Sequence, residues 1–167
     1  DTSFFPSGLY LWNPGHPNQL FHLFGYLLSW MVATDVAVKL VVAFTQIGIF
    51  VAGGRLADHL GTPRWTALLL APMALGWTYF WGLVTNLLGL AVLLFVLPSL
   101  DRASQQGTSR SALYAIGLLV LLYLAHESVM VIGCGAILVF AFAHPLTLRK
   151  TTLRLLPIAF TIALFLG

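Results

Sequence analysis

The apolar stretch from residue 65 to residue 100 is the feature that most restricts how this chain can fold. It holds about 36 residues without one charged side chain, and as a continuous helix it would be roughly 54 Å long. Because the hydrocarbon core of a bilayer is only about 30 Å thick, the stretch is predicted to form two membrane spans joined by a turn. Its middle, GWTYFWGLVTN (Gly76 to Asn86), carries the aromatic and small polar residues expected of that turn.

A second stretch, residues 111–144, repeats this arrangement around the polar sequence AHES. Shorter apolar runs complete the pattern. The sequence therefore predicts an all-α fold: a polytopic transmembrane helix bundle of about six or seven membrane segments, including two helical hairpins. The predicted segments are 20–33, 36–54, 65–81, 83–100, 111–126, 128–144 and 153–167.

Composition supports a membrane protein, since 59% of the residues are hydrophobic and only 8% are charged. Soluble domains carry about 25% charged residues. Residues 1–19, with three prolines, are predicted to form an irregular segment at the extracytoplasmic interface. Because the chain begins with Asp1 and stops inside an apolar run at Gly167, we expect processing or truncation.

The basic residues indicate the orientation of the bundle. Seven of the eight Lys and Arg residues lie in the connectors 55–64, 101–110 and 144–154. If both long stretches are hairpins, these connectors share one face, and the positive-inside rule makes that face cytoplasmic. This distribution explains the net charge of +3 without a nucleic-acid partner.

The opposite, outer face is where we expect a functional site. Asp35 and Lys39 are spaced four residues apart, so they can pair on one helix face, or Asp35 can act as a base or cation ligand. His126 and Glu127 sit at a predicted hairpin tip, either as an interfacial tip that reaches water or as an acid/base pair. The candidate catalytic residues are therefore Asp35, Glu127 and His126.

Metal and cofactor motifs are absent from the sequence, and no metal site is predicted. Ligation of haem or chlorophyll needs a histidine at mid-span with room beside it. His22 lies inside an apolar run and His126 at a tip, so ligation by either residue remains open.

Three stretches within about residues 16–145 form a recognisable pattern: HPNQLFHLFGYLLSWMVATDVAVKL, APMALGWTYFWGLVTNLLGLAVLL and LLYLAHESVMVIGCGAILVFA. Together they resemble bacterial polytopic membrane proteins of the GT-C glycosyltransferase-like kind. The residues that match the hairpin-tip pattern of that kind are Trp81, Gly82, Asn86, Gly89 and His126.

The resemblance implies a bacterial inner-membrane protein with an outer-face site for a polyprenyl-phosphate-linked sugar. Lys39, Trp81, Asn86 and His22 are the candidate substrate- or lipid-binding residues. In similar proteins an acidic residue of the first outer loop acts as the base. That loop would lie at or before residue 1, so the matching motif is missing from this chain.

Three functions remain open at this point, and the sequence leaves open whether the protein is an enzyme. The first is a GT-C-like lipid-linked sugar transferase, or a catalytically silent relative with an outward-facing cleft. The second is a non-catalytic subunit of a larger respiratory or photosynthetic membrane complex. The third is a transporter. The expected partners are membrane lipids, a polyprenyl-phosphate sugar and other membrane subunits.

Overall fold

A computed structural model describes residues 17–144 and 147–166, and all regular structure within them is helical, which confirms the all-α expectation. The predicted irregular segment 1–19 lies outside the described residues except at its very end. The helices are α1 (Gln19–Ser29), α2 (Thr34–His59), a 3₁₀ helix (Arg64–Leu70), α3 (Ala71–Leu75), α4 (Trp77–Phe80), α5 (Val84–Gln106), α6 (Ser109–Ala125), α7 (Glu127–Ala143) and α8 (Leu148–Leu166).

Local sequence sets the boundaries of the long helices. Gly107, which follows α5, has a φ of 57°, a left-handed conformation that glycine adopts without strain. Thr108 then starts α6 through a capping box, in which its hydroxyl accepts from the Ser111 amide while the Ser111 hydroxyl accepts from the Thr108 amide. Between α6 and α7 a single extended residue, His126, reverses the chain.

Residues 64–80 form three short helical pieces rather than one continuous helix. Gly76 interrupts them with a ψ of −139°, and Gly82 has a φ of 71° just before α5 begins. This part of the chain lies along α2, where Gly53 faces Leu70 and Ala67. A Cβ on Gly53 would lie only 2.5 Å from the Leu70 Cδ1 atom, so the absence of a side chain permits this close packing.

The helices pack around three apolar clusters. The largest joins α5, α6 and α7 through buried side chains such as Leu100, Leu119 and Ile137. A second joins α2 and α5 around Ile49 and Leu87. In a third, α1 packs across α2 and α5, with Phe21, Val41 and Leu88 buried together.

Two helices of the described chain, α2 and α5, are long and apolar enough to span a membrane. Both begin at the end of the bundle that carries His126 and finish at the end that carries the basic connectors, and α6 and α7 run between these same two ends. The two ends are called the tip end and the connector end below.

Candidate functional site

A large apolar groove lies between α1, α2 and α5 and is called the α1–α2–α5 groove. Its volume is about 750 Å³, and Leu121 of α6 closes part of its wall. Phe24 and Leu27 of α1 face Phe44 and Val51 of α2 across it. Aliphatic and aromatic side chains form nearly all of its lining, so its chemistry suits a hydrocarbon ligand.

Among the described residues that line this groove, Thr45 alone carries a hydroxyl group. Its side chain is 4% exposed, and its Oγ1 atom has no hydrogen-bond partner within the described residues. An unpaired buried hydroxyl costs about 1–3 kcal/mol. A ligand that offers Thr45 a hydrogen bond would recover part of that free energy.

A positively charged side chain, that of Arg55, lies at the connector end of the groove. The Arg55 guanidinium lies 4.4 Å from the centroid of the Phe95 ring, and Phe95 lines the groove. Arg55 is one helical turn beyond Val51, so it stands where α2 leaves the groove. The cation–π contact holds this positive charge against the apolar wall.

Asp35 and Lys39 form an ion pair on the surface of α2. The carboxylate and ammonium groups are 3.5 Å apart, and the side chains are 68% and 77% exposed respectively. Lys39 precedes the groove residue Val41 by two positions, and about 100° of rotation per residue places it on the opposite face of the helix. The pair therefore points away from the groove.

His126 and Glu127 both lie at the start of α7, where they stabilise the helix end. The His126 Nδ1 atom accepts from the Ser128 amide at 3.3 Å and lies 2.8 Å from the Ser128 hydroxyl. Burial lowers the pKa of His126 below its ordinary value, and the Glu127 charge opposes this shift. Glu127 is exposed in the first turn, where the helix dipole favours a negative charge.

The remaining candidate residues are spread over the tip end of the bundle and α1. Trp81 is exposed just before the Gly82 turn, and Asn86 is half-buried in the first turn of α5. His22 is exposed on α1, with its ring edge-on to Phe21. Gly89 faces His126, and this approach brings α5 against α7.

Within the described residues, no contact joins the candidate catalytic residue Asp35 to the other two, His126 and Glu127. Asp35 pairs with Lys39, and His126 bonds to Ser128. The structure therefore brings His126 together with Glu127 and Gly89, while Asp35 stands on a separate, exposed face.

A partly buried cluster of charged and polar side chains at the connector end was missed by the sequence reasoning. Asp101 of α5 lies between two histidines, with the His59 Nε2 atom 2.7 Å from Asp101 Oδ2 and the His144 Nε2 atom 3.3 Å from Oδ1. Gln105 also donates to Oδ2, at 3.1 Å. His59 belongs to the predicted connector 55–64, His144 to the connector 144–154, and Asp101 begins the connector 101–110. The contacts therefore show that the three connectors meet at one end of the bundle.

Arg154 of α8 extends this cluster, which is called the His59–Asp101–His144–Arg154 network. Its side chain is 3% exposed, and its Nη1 atom donates to the carbonyl oxygens of His144 at 2.6 Å and Ala141 at 3.1 Å. These carbonyl groups belong to the end of α7, where no backbone amide of the same helix is available to donate to them. The network thus ties α2, α5, α7 and α8 together.

The sequence does contain one indication of this network, which is the position of Asp101 relative to the connectors. Asp101 is an acidic residue at the boundary of an apolar helix, between connectors that were already expected to share a face. Helical periodicity does not report side-chain pairing between connectors, so the partners could not be assigned before the structure.

Within the described part of the chain, no group of three or more His, Cys, Asp or Glu side chains is arranged to hold a metal ion. Comparison with protein-family models, with curated proteins and with solved structures gives no match. The candidate binding site among the described residues is the α1–α2–α5 groove, since it combines a volume of about 750 Å³ with an apolar lining.

Proposed function

We propose that this chain is a polytopic membrane domain that binds the hydrocarbon chain of a lipid in the α1–α2–α5 groove. The observation that carries this proposal is the groove itself, about 750 Å³ in volume and lined almost wholly by apolar side chains. A hydrocarbon chain would fill this space with dispersion contacts to the apolar walls.

Exposed apolar side chains support a bilayer environment. Val131, Ile132, Val139 and Phe142 on α7 are all more than half exposed. Soluble monomers rarely present such continuous apolar surface, whereas lipid tails solvate it. Helices α6 and α7 have 17 residues each, at the lower end of the roughly 17–25 residues that span a membrane.

Aromatic residues near the two ends support the same environment. Trp30 follows α1 at the tip end, and Trp65 lies in the 3₁₀ helix near the connector end. Both indole rings are exposed, as expected for residues at the two headgroup layers of a bilayer. The positive-inside rule then assigns the connector end to the cytoplasm.

The class of lipid in this proposal follows from the resemblance to GT-C-like proteins. The ligand would be a polyprenyl-phosphate carrier whose isoprenoid chain lies in the groove, in a bacterial inner membrane. Asp35, Glu127 and His126 are the residues through which transfer chemistry would act. Sugar transfer by the full-length protein that survives replacement of both acids by amides would eliminate the transferase role.

The groove proposal is tested with two matched valines. Val51 lines the groove and is 65% exposed, while Val139 on α7 is 64% exposed and outside it. Replacing Val51 by Trp should narrow the groove and weaken lipid binding about tenfold, because the indole ring would occupy space that the hydrocarbon chain otherwise fills. Val139→Trp should leave binding unchanged.

The measurement is the amount of polyprenyl phosphate and phospholipid that remains on the purified protein, determined by native mass spectrometry. Loss of lipid from Val51→Trp alone supports the proposal. Equal retention by both variants would show that the groove does not hold the lipid.

A non-catalytic subunit of a larger complex is a second candidate function, and the separation of Asp35 from His126 and Glu127 favours it. In that case a partner helix would cover the exposed face of α7. Purification of the full-length protein as a stable, catalytically active monomer would count against this role.

A further inference from the structure

A second cavity, different in chemistry from the groove, lies between the end of α5 and the start of α6. Its volume is about 430 Å³. Arg102 and Gln106 of α5 and Arg110 of α6 line it, and the other polar lining residues among those described are Ser99, Ser111 and Tyr114. It lies at the connector end of the bundle.

The cavity is positively charged and has no carboxylate among its described lining residues. Arg102 follows Asp101 in the chain, but the Asp101 carboxylate is engaged by His59 and His144. Two guanidinium groups that share a cavity repel each other, and an anion between them would relieve that repulsion. Guanidinium groups bind phosphate oxygens through paired, charge-assisted hydrogen bonds.

The turn between the two helices fixes the spacing of these arginines. Gly107 ends α5 in a left-handed conformation, and the reciprocal bonds of Thr108 and Ser111 hold the first turn of α6 in place. Arg102 and Arg110 therefore project from two helix ends whose relative position is set before a ligand arrives. The positive end of the α6 dipole adds to the attraction for an anion.

We infer that this cavity binds a phosphate group at the connector face of the membrane. Tyr114, exposed one turn beyond Arg110, lies where an aromatic side chain would meet the boundary between headgroups and acyl chains. The phosphate can belong to an anionic lipid headgroup or to a free phosphate, and both present the same oxygens to the arginines.

The test uses the full chain in zwitterionic detergent with two probes, short-chain phosphatidylglycerol and inorganic phosphate. Binding is measured by isothermal titration calorimetry for the unaltered protein, for R102Q and for R110Q. Each substitution should weaken binding of the recognised probe about tenfold, because a hydrogen bond to a charged group is lost. R110K, which keeps the charge but loses the paired geometry, should weaken binding less than R110Q.

Lys150 provides the matched control, since it is an exposed cation in a connector and does not line the cavity. K150Q should bind the probe as the unaltered protein does. Binding of phosphatidylglycerol alone assigns the phosphate to a lipid headgroup, whereas comparable binding of inorganic phosphate assigns it to a free anion. Binding of neither probe, or equal weakening by K150Q, would overturn the inference. Unchanged circular dichroism confirms that each variant is folded.

Discussion

At the scale of single residues, the hydrogen bond that His126 accepts from the Ser128 amide depends on the protonation state of the His126 ring. Its Nδ1 atom must be unprotonated to accept from the Ser128 amide, and burial lowers its pKa in the folded chain. Because the folded pKa lies below the unfolded value, the stability from this cap is fully present above the ordinary histidine pKa of about 6.5. It is lost as the pH falls through the lower, folded pKa.

We expect the His126 ring to titrate at a pH below 6.5, the unperturbed value. Replacing Glu127 by Gln should lower the midpoint further, because the Glu127 charge raises this pKa. Histidine-selective NMR titration of the purified protein measures both midpoints. A midpoint that rises in Glu127→Gln would contradict the assigned electrostatics.

Asp101 gives a second prediction at the residue scale. Asp101→Asn removes the negative charge that faces His59 and His144 and replaces one of the two acceptor oxygens by an NH₂ group, so it should destabilise the fold by about 2 kcal/mol. The midpoint of thermal unfolding in detergent measures the effect. Asp58→Asn is the control, because Asp58 pairs with Arg64 at the exposed surface and its loss should barely move the midpoint.

At the scale of helices, close approach at Gly89 joins α5 to α7. A Cβ on Gly89 would lie 2.7 Å from Val129 Cγ2 and 2.9 Å from His126 Cβ, neither of which is the far end of a flexible side chain. Gly89→Ala should therefore destabilise the protein by about 1–3 kcal/mol through overpacking.

Gly135 on α7 is the matched control for this prediction, since nothing lies within 4 Å of a Cβ built there. Gly135→Ala should leave the unfolding midpoint unchanged or raise it, because alanine favours helix by about 1 kcal/mol over glycine. Equal midpoints for the two variants would show that Gly89 does not set the α5–α7 distance.

The elements also show what sequence could and could not predict. Apolar run length predicted α2 and α5, and the polar sequence AHES placed a break at His126, because these signals are local. The 3₁₀ helix and its packing on α2 could not be predicted, since they depend on the close approach of the Leu70 side chain to Gly53, which has no side chain of its own. The His59–Asp101–His144 contacts depend on where three separate connectors meet.

At the scale of the whole molecule, the two ends of α2 should lie on opposite sides of the membrane. Met31, just before α2, and Leu60, just after it, are both well exposed. In a Cys134→Ala background, Met31→Cys should react with a membrane-impermeant maleimide added outside intact cells, whereas Leu60→Cys should react only after permeabilisation. Labelling of both positions from outside would contradict the predicted orientation.

Because of the His59–Asp101–His144–Arg154 network, the helices are held together by different kinds of contact at the two ends of the bundle. At the connector end, polar contacts between helices hold α2, α5, α7 and α8 together. Separating these helices would leave charged side chains without their partners. At the tip end, Phe21, Val41 and Leu88 meet through apolar contacts alone, which a lipid tail can replace one by one. Helix α1 has no residue in this network and joins α2 through residues 30–33 at the tip end. If the groove binds a lipid as proposed, a parting of α1 from α2 about that link would let the hydrocarbon chain enter sideways.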